Sequence, residues 1–515
     1  MRHADGTGGK VLTVGNVAFG SFYESAADPG SVVSWHPSPT SLAKAQQAPI
    51  SAVPASDMQT EHLQGFRGNA AQGREIPRLV TVSWDTAGQC DTRAMTYAVN
   101  AHLRRHDTYH SWFEFTDTDH IVRHTISDPA DIEFVPTAHG EMTLAEWRGH
   151  ILATPNPLQW DCFGFTLIQR SDHFSFFVCV DHLHSDMTSV CVAFREIHTM
   201  YAALVDGERP IRIAEVGSYA DHCVQERASL SALTVESPEI GQWIEFAENN
   251  DGTLPGFPLP LGDELAPADQ MSARLMNEWQ TSGFESACIA AGARFSGGVF
   301  ACAALAQYEL TGAEMYHGLT SAETRRTPAD FMTTGWYTGH VPLTVPIIAS
   351  SFSETVNAAQ ASFDSCKGLA NIPFRIVLEL APWLRWPSRS HLPILFYFDA
   401  TVPPLSTLFG SDSDGLNMRM YFSDVAADFN IRVFRLEQET QVLVRFPGNA
   451  VARDSVTRYI AALKSVYARV AGAHSAQPVP RPSATTVPRL PTLPRRSGSR
   501  LSHGPESDAP QRPGR

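Results

Sequence analysis

Apolar residues fall into two kinds of pattern along this chain. Short blocks rich in β-branched and aromatic residues predict strands. Longer stretches with apolar positions three and four apart predict helices. LVTVSW (Leu79 to Trp84) is a strand by its β-branched content. TRAMTYAVNAHLRRHD follows, and Met95, Ala98, Val99 and Leu103 share one helical face. HSWFEFTD and HIVRHTI continue as strands, and MTLAEWRGHIL is a short helix that Thr143 can cap. FGFTLIQ and FSFFVCV form two strands parted by a turn at Arg170–Asp172. SVCVAFREIHTMYAALVDG is an amphipathic helix stopped by Gly207, and SYADHCVQERASL is another helix.

The second half opens with the helical stretch ESACIAAGARFSGGVFACAALAQYEL. Strands follow near GHVPLTVPI, ILFYFDA, LNMRMYF, IRVFRLE and TQVLVRF, and SVTRYIAALKSVYARVAG closes the half as a helix. Mixed strands and helices predict an α/β or α+β fold. The stretch up to about Val53 is rich in Ser, Pro, Gly and Ala and reads as extended or irregular. ENNDGTLPGFPLPLGDELAP is dense in Pro, Gly, Asn and Asp and reads as a linker over 248–267. The division expected is an N-terminal lobe over 1–247, a C-terminal lobe over 268–475 and a disordered tail over 476–515.

Length agrees with more than one folding unit, since the chain has 515 residues and single cores rarely exceed about 250. Charge separates the tail from the rest. The whole chain carries −15, yet the tail holds seven Arg against one Glu and one Asp. The tail is therefore +5 and the body −20. An acidic body is a poor partner for nucleic acid. The eight Cys are scattered and mostly in apolar company, as reduced thiols in a cytoplasm would be. The N-terminus lacks the apolar core of a secretory signal, and no apolar run approaches 18 residues.

Candidate chemistry concentrates where FSFFVCV runs into DHLHSDMTS. Two His and two Asp stand within six residues after a buried strand, where a rigid scaffold delivers polar groups into a cleft. Three readings fit the residues alone. In one, His182 is a general base and Asp186 fixes the loop or the imidazole. In another, His182, His184 and Asp186 ligate a metal in a hydrolase. In the third, the histidines are structural at a strand–helix corner. GxSxG, GxxxxGK[ST] and convincing GxGxxG patterns are missing from the sequence.

DHLHSDM resembles the HHxxxDG signature of the condensation-domain acyltransferase superfamily, which is related in fold to chloramphenicol acetyltransferase. Asp181 stands where the family has its first His, and Met187 where it has Gly. Further segments resemble family motifs in the expected order: RRHDTYHSWF (Arg104 to Phe113), SYADHCVQE (Ser218 to Glu226), TGWYTGHVPLTV (Thr334 to Val345) and NIPF (Asn371 to Phe374). The resemblance covers about residues 50 to 475. Val32 to Leu63 and the DHLHxD variant are similar to mycobacterial polyketide-associated acyltransferases.

The resemblance implies two chloramphenicol-acetyltransferase-like lobes in a V-shaped pseudo-dimer, with the active site at their interface. It implies catalytic residues His182 and Asp186, the Asp holding the loop through an ion pair. Arg105 and His110 are the expected partners of that Asp. Asp181, His184, Gln59, Tyr337, Gly339 and His340 are the expected channel residues. The implied reaction moves a long acyl chain, polyketide or fatty, from acyl-CoA or a synthase-bound thioester to a hydroxyl of trehalose or a related glycolipid. Such a transfer needs no metal and no resident cofactor, the thioester being a co-substrate. A non-catalytic scaffold of the same fold, linking a synthase to a lipid transporter, is the alternative. The expected location is cytoplasmic, and the basic tail either rests on the anionic inner face of the cell membrane or is simply solvated.

Overall fold

The computed structural model describes residues 12–473 except 23–27, 117–119, 208–212, 263–265, 349–350, 388–391, 411–412 and 423–428. The predicted tail, 476–515, lies outside the described residues. The first half contains β1 (Leu12–Val14), β2 (Val17–Ser21), β3 (Gly30–Pro37), α1 (Pro39–Gln46), α2 (Asp57–Ala70), β4 (Leu79–Ala87) and α3 (Thr92–Arg105). It continues through β5 (Ser111–Phe115), β6 (Ile121–Thr125), β7 (Phe134–Met142), α4 (Leu144–Leu152), β8 (Phe163–Gln169) and β9 (His173–Asp181). The helices α5 (Met187–Val205), α6 (Tyr219–Ser231) and α7 (Pro238–Glu248) complete it.

The second half runs β10 (Ala268–Asn277), α8 (Glu278–Ala290), α9 (Phe295–Thr311), β11 (Met315–Glu323), β12 (Thr338–Pro346), α10 (Phe352–Cys366) and α11 (Phe374–Leu380). It ends with β13 (Ile394–Asp399), α12 (Leu405–Phe409), β14 (Arg419–Phe422), β15 (Asn430–Arg435), β16 (Glu439–Pro447) and α13 (Ala450–Ala473). The predicted strands and helices recur here, as the mixed fold class requires.

Two sheets organise the chain. The first has eight strands in the order β1-β2-β14-β4-β9-β8-β3-β7, and the second six in the order β10-β16-β15-β13-β11-β12. In the first, α3 and α5 bury Val99, Leu103, Cys191 and Phe194 against Trp35, Phe165, Phe176 and Val178 of the strands. Its other face carries Trp147 and Ile151 of α4 against Phe177 and Cys179. In the second, α8, α9, α10 and α13 share a core with Val433, Val442 and Val444. Helix α9 is buried nearly all round, and no single helix of the described residues is long and apolar enough to cross a membrane.

Three features add to the sequence reading. Of the stretch read as extended or irregular before Val53, the extended part includes β3, which lies inside the first sheet between β7 and β8. Its alternation is visible in Val32 and Ser34 against Val33, but Gly, Ser and Pro around it mask the signal. Within the 248–267 stretch read as a linker, Leu254, Leu259 and Leu261 are buried in neighbouring cores. The lobes also exchange a segment, since β14 pairs with β2 and β4 of the first sheet. Met418 and Met420 enter that core and Tyr421 stacks on Phe22 at 4.3 Å, so β4 keeps no open edge.

Candidate active site

Strand β9 delivers the site. Seven consecutive buried residues, Phe174 to Val180, hold it between β4 and β8. It ends at Asp181, and a single helical turn over His182–His184 leads into α5. Asp186 caps α5, its Oδ1 accepting from the Ser189 N–H at 2.8 Å. Met187 is therefore the first residue of a right-handed helix, packed against the first core. A positive φ is not required there, so Met is accommodated where the family has Gly.

Asp186 is the best-anchored group of the motif. Arg325 donates to it through both Nη atoms, at 2.8 and 3.1 Å. The Ser189 hydroxyl adds a bond at 2.8 Å and the Tyr337 N–H one at 3.0 Å. Burial pushes the carboxyl upward, but the Arg325 charge overrides it and holds Asp186 below the usual carboxylate range. With its acceptor capacity filled, Asp186 does not touch substrate; it is a positioning residue. Because Arg325 follows β11, this pair ties the two halves of the chain together.

Neither expected partner reaches Asp186. Arg105 Nε donates to Glu196 of α5 at 3.0 Å, because the end of α3 faces that helix. His110 is buried and bonds back to the Leu103 carbonyl at 3.1 Å. The RRHD segment does serve the site, but through other residues. His102 Nδ1 and His106 Nε2 both donate to Glu196 Oε2, at 2.9 and 2.8 Å. His106 Nδ1 accepts from the Thr334 N–H at 3.3 Å, which fixes its tautomer.

Thr334 begins the loop that carries Trp336. The Trp336 ring lies on the His182 ring with centroids 4.0 Å apart and planes at 38°. This loop needs Gly335, since a Cβ there would stand 2.4 Å from the Tyr219 ring. His182 is half-buried, and burial followed by the nearby His62 lowers its pKa to about 4. Among the described residues no carboxylate hydrogen-bonds the ring. Packing against Trp336 orients it instead. The result is a neutral imidazole, contributed by one sheet and covered by a residue of the other half.

Most of the expected channel residues are supports. Asp181 is fully buried; it accepts from Arg78 at 3.0 Å and meets His62 Nε2 at 2.7 Å. Burial raises its pKa, but His62 and Arg78 bring the net shift below the usual value. His184 is buried with Nδ1 2.9 Å from the Thr108 hydroxyl. Gln59 completes a capping box with Ser56 at the start of α2, and its Nε2 donates to the Leu183 carbonyl at 2.9 Å. Tyr337 is buried with its ring 4.3 Å from the Arg325 guanidinium. Gly339 is needed by close approach, since a Cβ would lie 1.7 Å from the Ala370 carbonyl oxygen. His340 alone of the six residues is half-buried, edge-on to Phe396.

Sequence reasoning missed His62, Arg325 and Trp336. Trp336 lies inside the quoted TGWYTGH segment, next to the residue singled out. Arg325 lies 139 residues from Asp186 with no local pattern to mark it. The metal reading of the motif does not fit. Both Asp186 oxygens are engaged by Arg325, and the His/Asp/Glu trios that converge among the described residues lie elsewhere.

A neutral histidine between two sheets, with its Asp locked onto an Arg, defines an acyltransferase of the condensation-domain type. The condensation-domain family matches residues 78–392, and the chain belongs to that family. It is similar to PapA1 of Mycobacterium tuberculosis, named a 2'-acyl-2-O-sulfo-trehalose (hydroxy)phthioceranyltransferase, at 51% identity over 91% of each chain. It is similar to the trehalose-2-sulfate acyltransferase PapA2 of Mycobacterium bovis, at 53% identity over 86% of this chain and 95% of that one. A solved PapA2 acyl transferase structure superposes with a TM-score of 0.84 at 51% identity, covering 88% of this chain and 99% of the other. The protein is an acyltransferase.

Proposed function

We propose that the protein transfers an acyl group from a CoA or carrier-bound thioester to a hydroxyl of trehalose or a related glycolipid, with His182 as general base. The carrying observation is a half-buried, neutral His182 that stacks under Trp336 at the meeting of the two sheets. The acceptor class follows from the relatives, whose names specify trehalose-2-sulfate and its acylated form.

In this reaction the acceptor oxygen attacks the thioester carbonyl as His182 takes the hydroxyl proton. The carbon–sulfur bond then breaks, and His182 returns the proton to the leaving thiolate. No enzyme nucleophile and no resident cofactor are needed, since the thioester brings the acyl group. Asp186 and Arg325 hold the turn, and Trp336 holds the ring. The site faces the cytoplasm on this reading, where CoA thioesters and synthase-bound chains are supplied. Mass spectrometry of products from a panel of acyl-CoAs with trehalose, trehalose-2-sulfate and their monoacyl forms tests the assignment. An acylated trehalose product is expected; hydrolysis of every thioester with no acceptor use would refute it.

A further inference from the structure

Three imidazoles that the reaction does not use converge on the far side of the first sheet. His36 comes from β3, His139 from β7 and His150 from α4. A ligand nitrogen from each lies within 4.8 Å of the others. The His139 and His150 rings are 4.5 Å apart by centroid, and His36 stands 6.2 and 6.0 Å from them.

The backbone around them is arranged for this convergence. The β3–β7 register pairs Val32 with Gly140 and then Val33 with Ala138, so His139 is the extra residue of a β-bulge. Gly140 follows with φ at 78°. A bulge re-aims the side chain it inserts. The Ser34 hydroxyl is buried between two rings, 2.7 Å from His36 Nε2 and 2.6 Å from His139 Nε2. Helix α4 is fixed by the Thr143–Glu146 capping box and by Trp147, which is fully buried. His150 is thus held on a rigid element.

We propose that His36, His139 and His150 form a binding site for a divalent transition metal of the imidazole-preferring class, Zn2+, Co2+, Ni2+ or Cu2+. Imidazole suits these ions over Mg2+ or Ca2+. On this proposal the three nitrogens would close on the ion to the ~2.0–2.1 Å of a Zn–N bond, leaving a fourth position for water. The other convergent trio, His102, His106 and Glu196, is explained by its hydrogen bonds within the brace already described.

The test uses the full-length chain without a polyhistidine tag, stripped with chelator and titrated with Zn2+ by equilibrium dialysis. Co2+ substitution gives a d–d absorption band as a second readout. One Zn2+ per chain is expected, with affinity reduced at least tenfold in His139→Ala and in His150→Ala. His173→Ala, paired with Asp172 at the opposite end of β9, should bind as wild type. Because His36 and His139 are exposed and His150 half-buried, the variants are expected to keep the wild-type melting temperature. Absence of stoichiometric binding overturns the proposal, and so does binding that survives all three His→Ala changes together.

Discussion

At Asp186 the chain buries a charge and gives it one dominant partner. Removing that partner leaves an uncompensated carboxylate, so Arg325→Ala should cost about 3–5 kcal/mol in urea unfolding. Arg105→Ala should cost less, since its ion pair with Glu196 is partly exposed. Equal losses would mean that the Asp186 pair is not the strut described. Glu226 offers a pH test. Burial raises its pKa from 4.5 to about 7. The folded state therefore binds this proton more tightly than the unfolded state, and stability falls as pH rises from about 4.5 to 7. Glu226→Gln should flatten that decline in melting temperature; an unchanged slope would show that Glu226 titrates normally. The HLHSD motif was legible because ionisable residues crowd the end of an apolar strand. Its anchors were not, because Arg325 and Trp336 arrive from the other half of the chain and local spacing records nothing of tertiary pairing.

Elements place these residues by close backbone contact. In β12, Gly339 lets the carbonyl of Ala370 approach, so Gly339→Ala forces the strand and the turn after α10 apart. A loss of about 1–3 kcal/mol is expected from overpacking of this kind, read by thermal unfolding. A neutral effect would mean that the turn is free to move. The start of α4 was legible, since Thr143 marks its cap, and the structure completes a capping box there with Glu146. Strand membership was the least legible. LNMRMYF reads correctly as a strand, but the alternation of a strand does not say which sheet it joins. The His139 bulge was likewise invisible, because one inserted residue alters register without altering composition.

For the molecule as a whole, two sheets share one site through Asp186–Arg325 and His182–Trp336. Their mixed class followed from periodicity, and their shared site from the resemblance of ordered motifs; the exchange of β14 followed from neither. The +5 tail stands outside the family match, which ends at residue 392. Deleting 476–515 should leave the transfer rate within about twofold while reducing binding to anionic vesicles, at up to about 1 kcal/mol per Arg. Loss of transfer would place the tail in the chemistry, and unchanged vesicle binding would make it a solvated extension.

The central claim is that His182 moves the proton. Its most direct test is kcat/KM for transfer from an acyl-CoA to a trehalose acceptor, for wild type and His182→Ala, across pH 4 to 8. The account predicts a loss of about 10²–10⁴-fold in the variant. It also predicts a wild-type rate that holds through pH 6 and falls only toward pH 4, where the ring becomes protonated. A variant with the wild-type rate, or the same acid limb in both proteins, would contradict it.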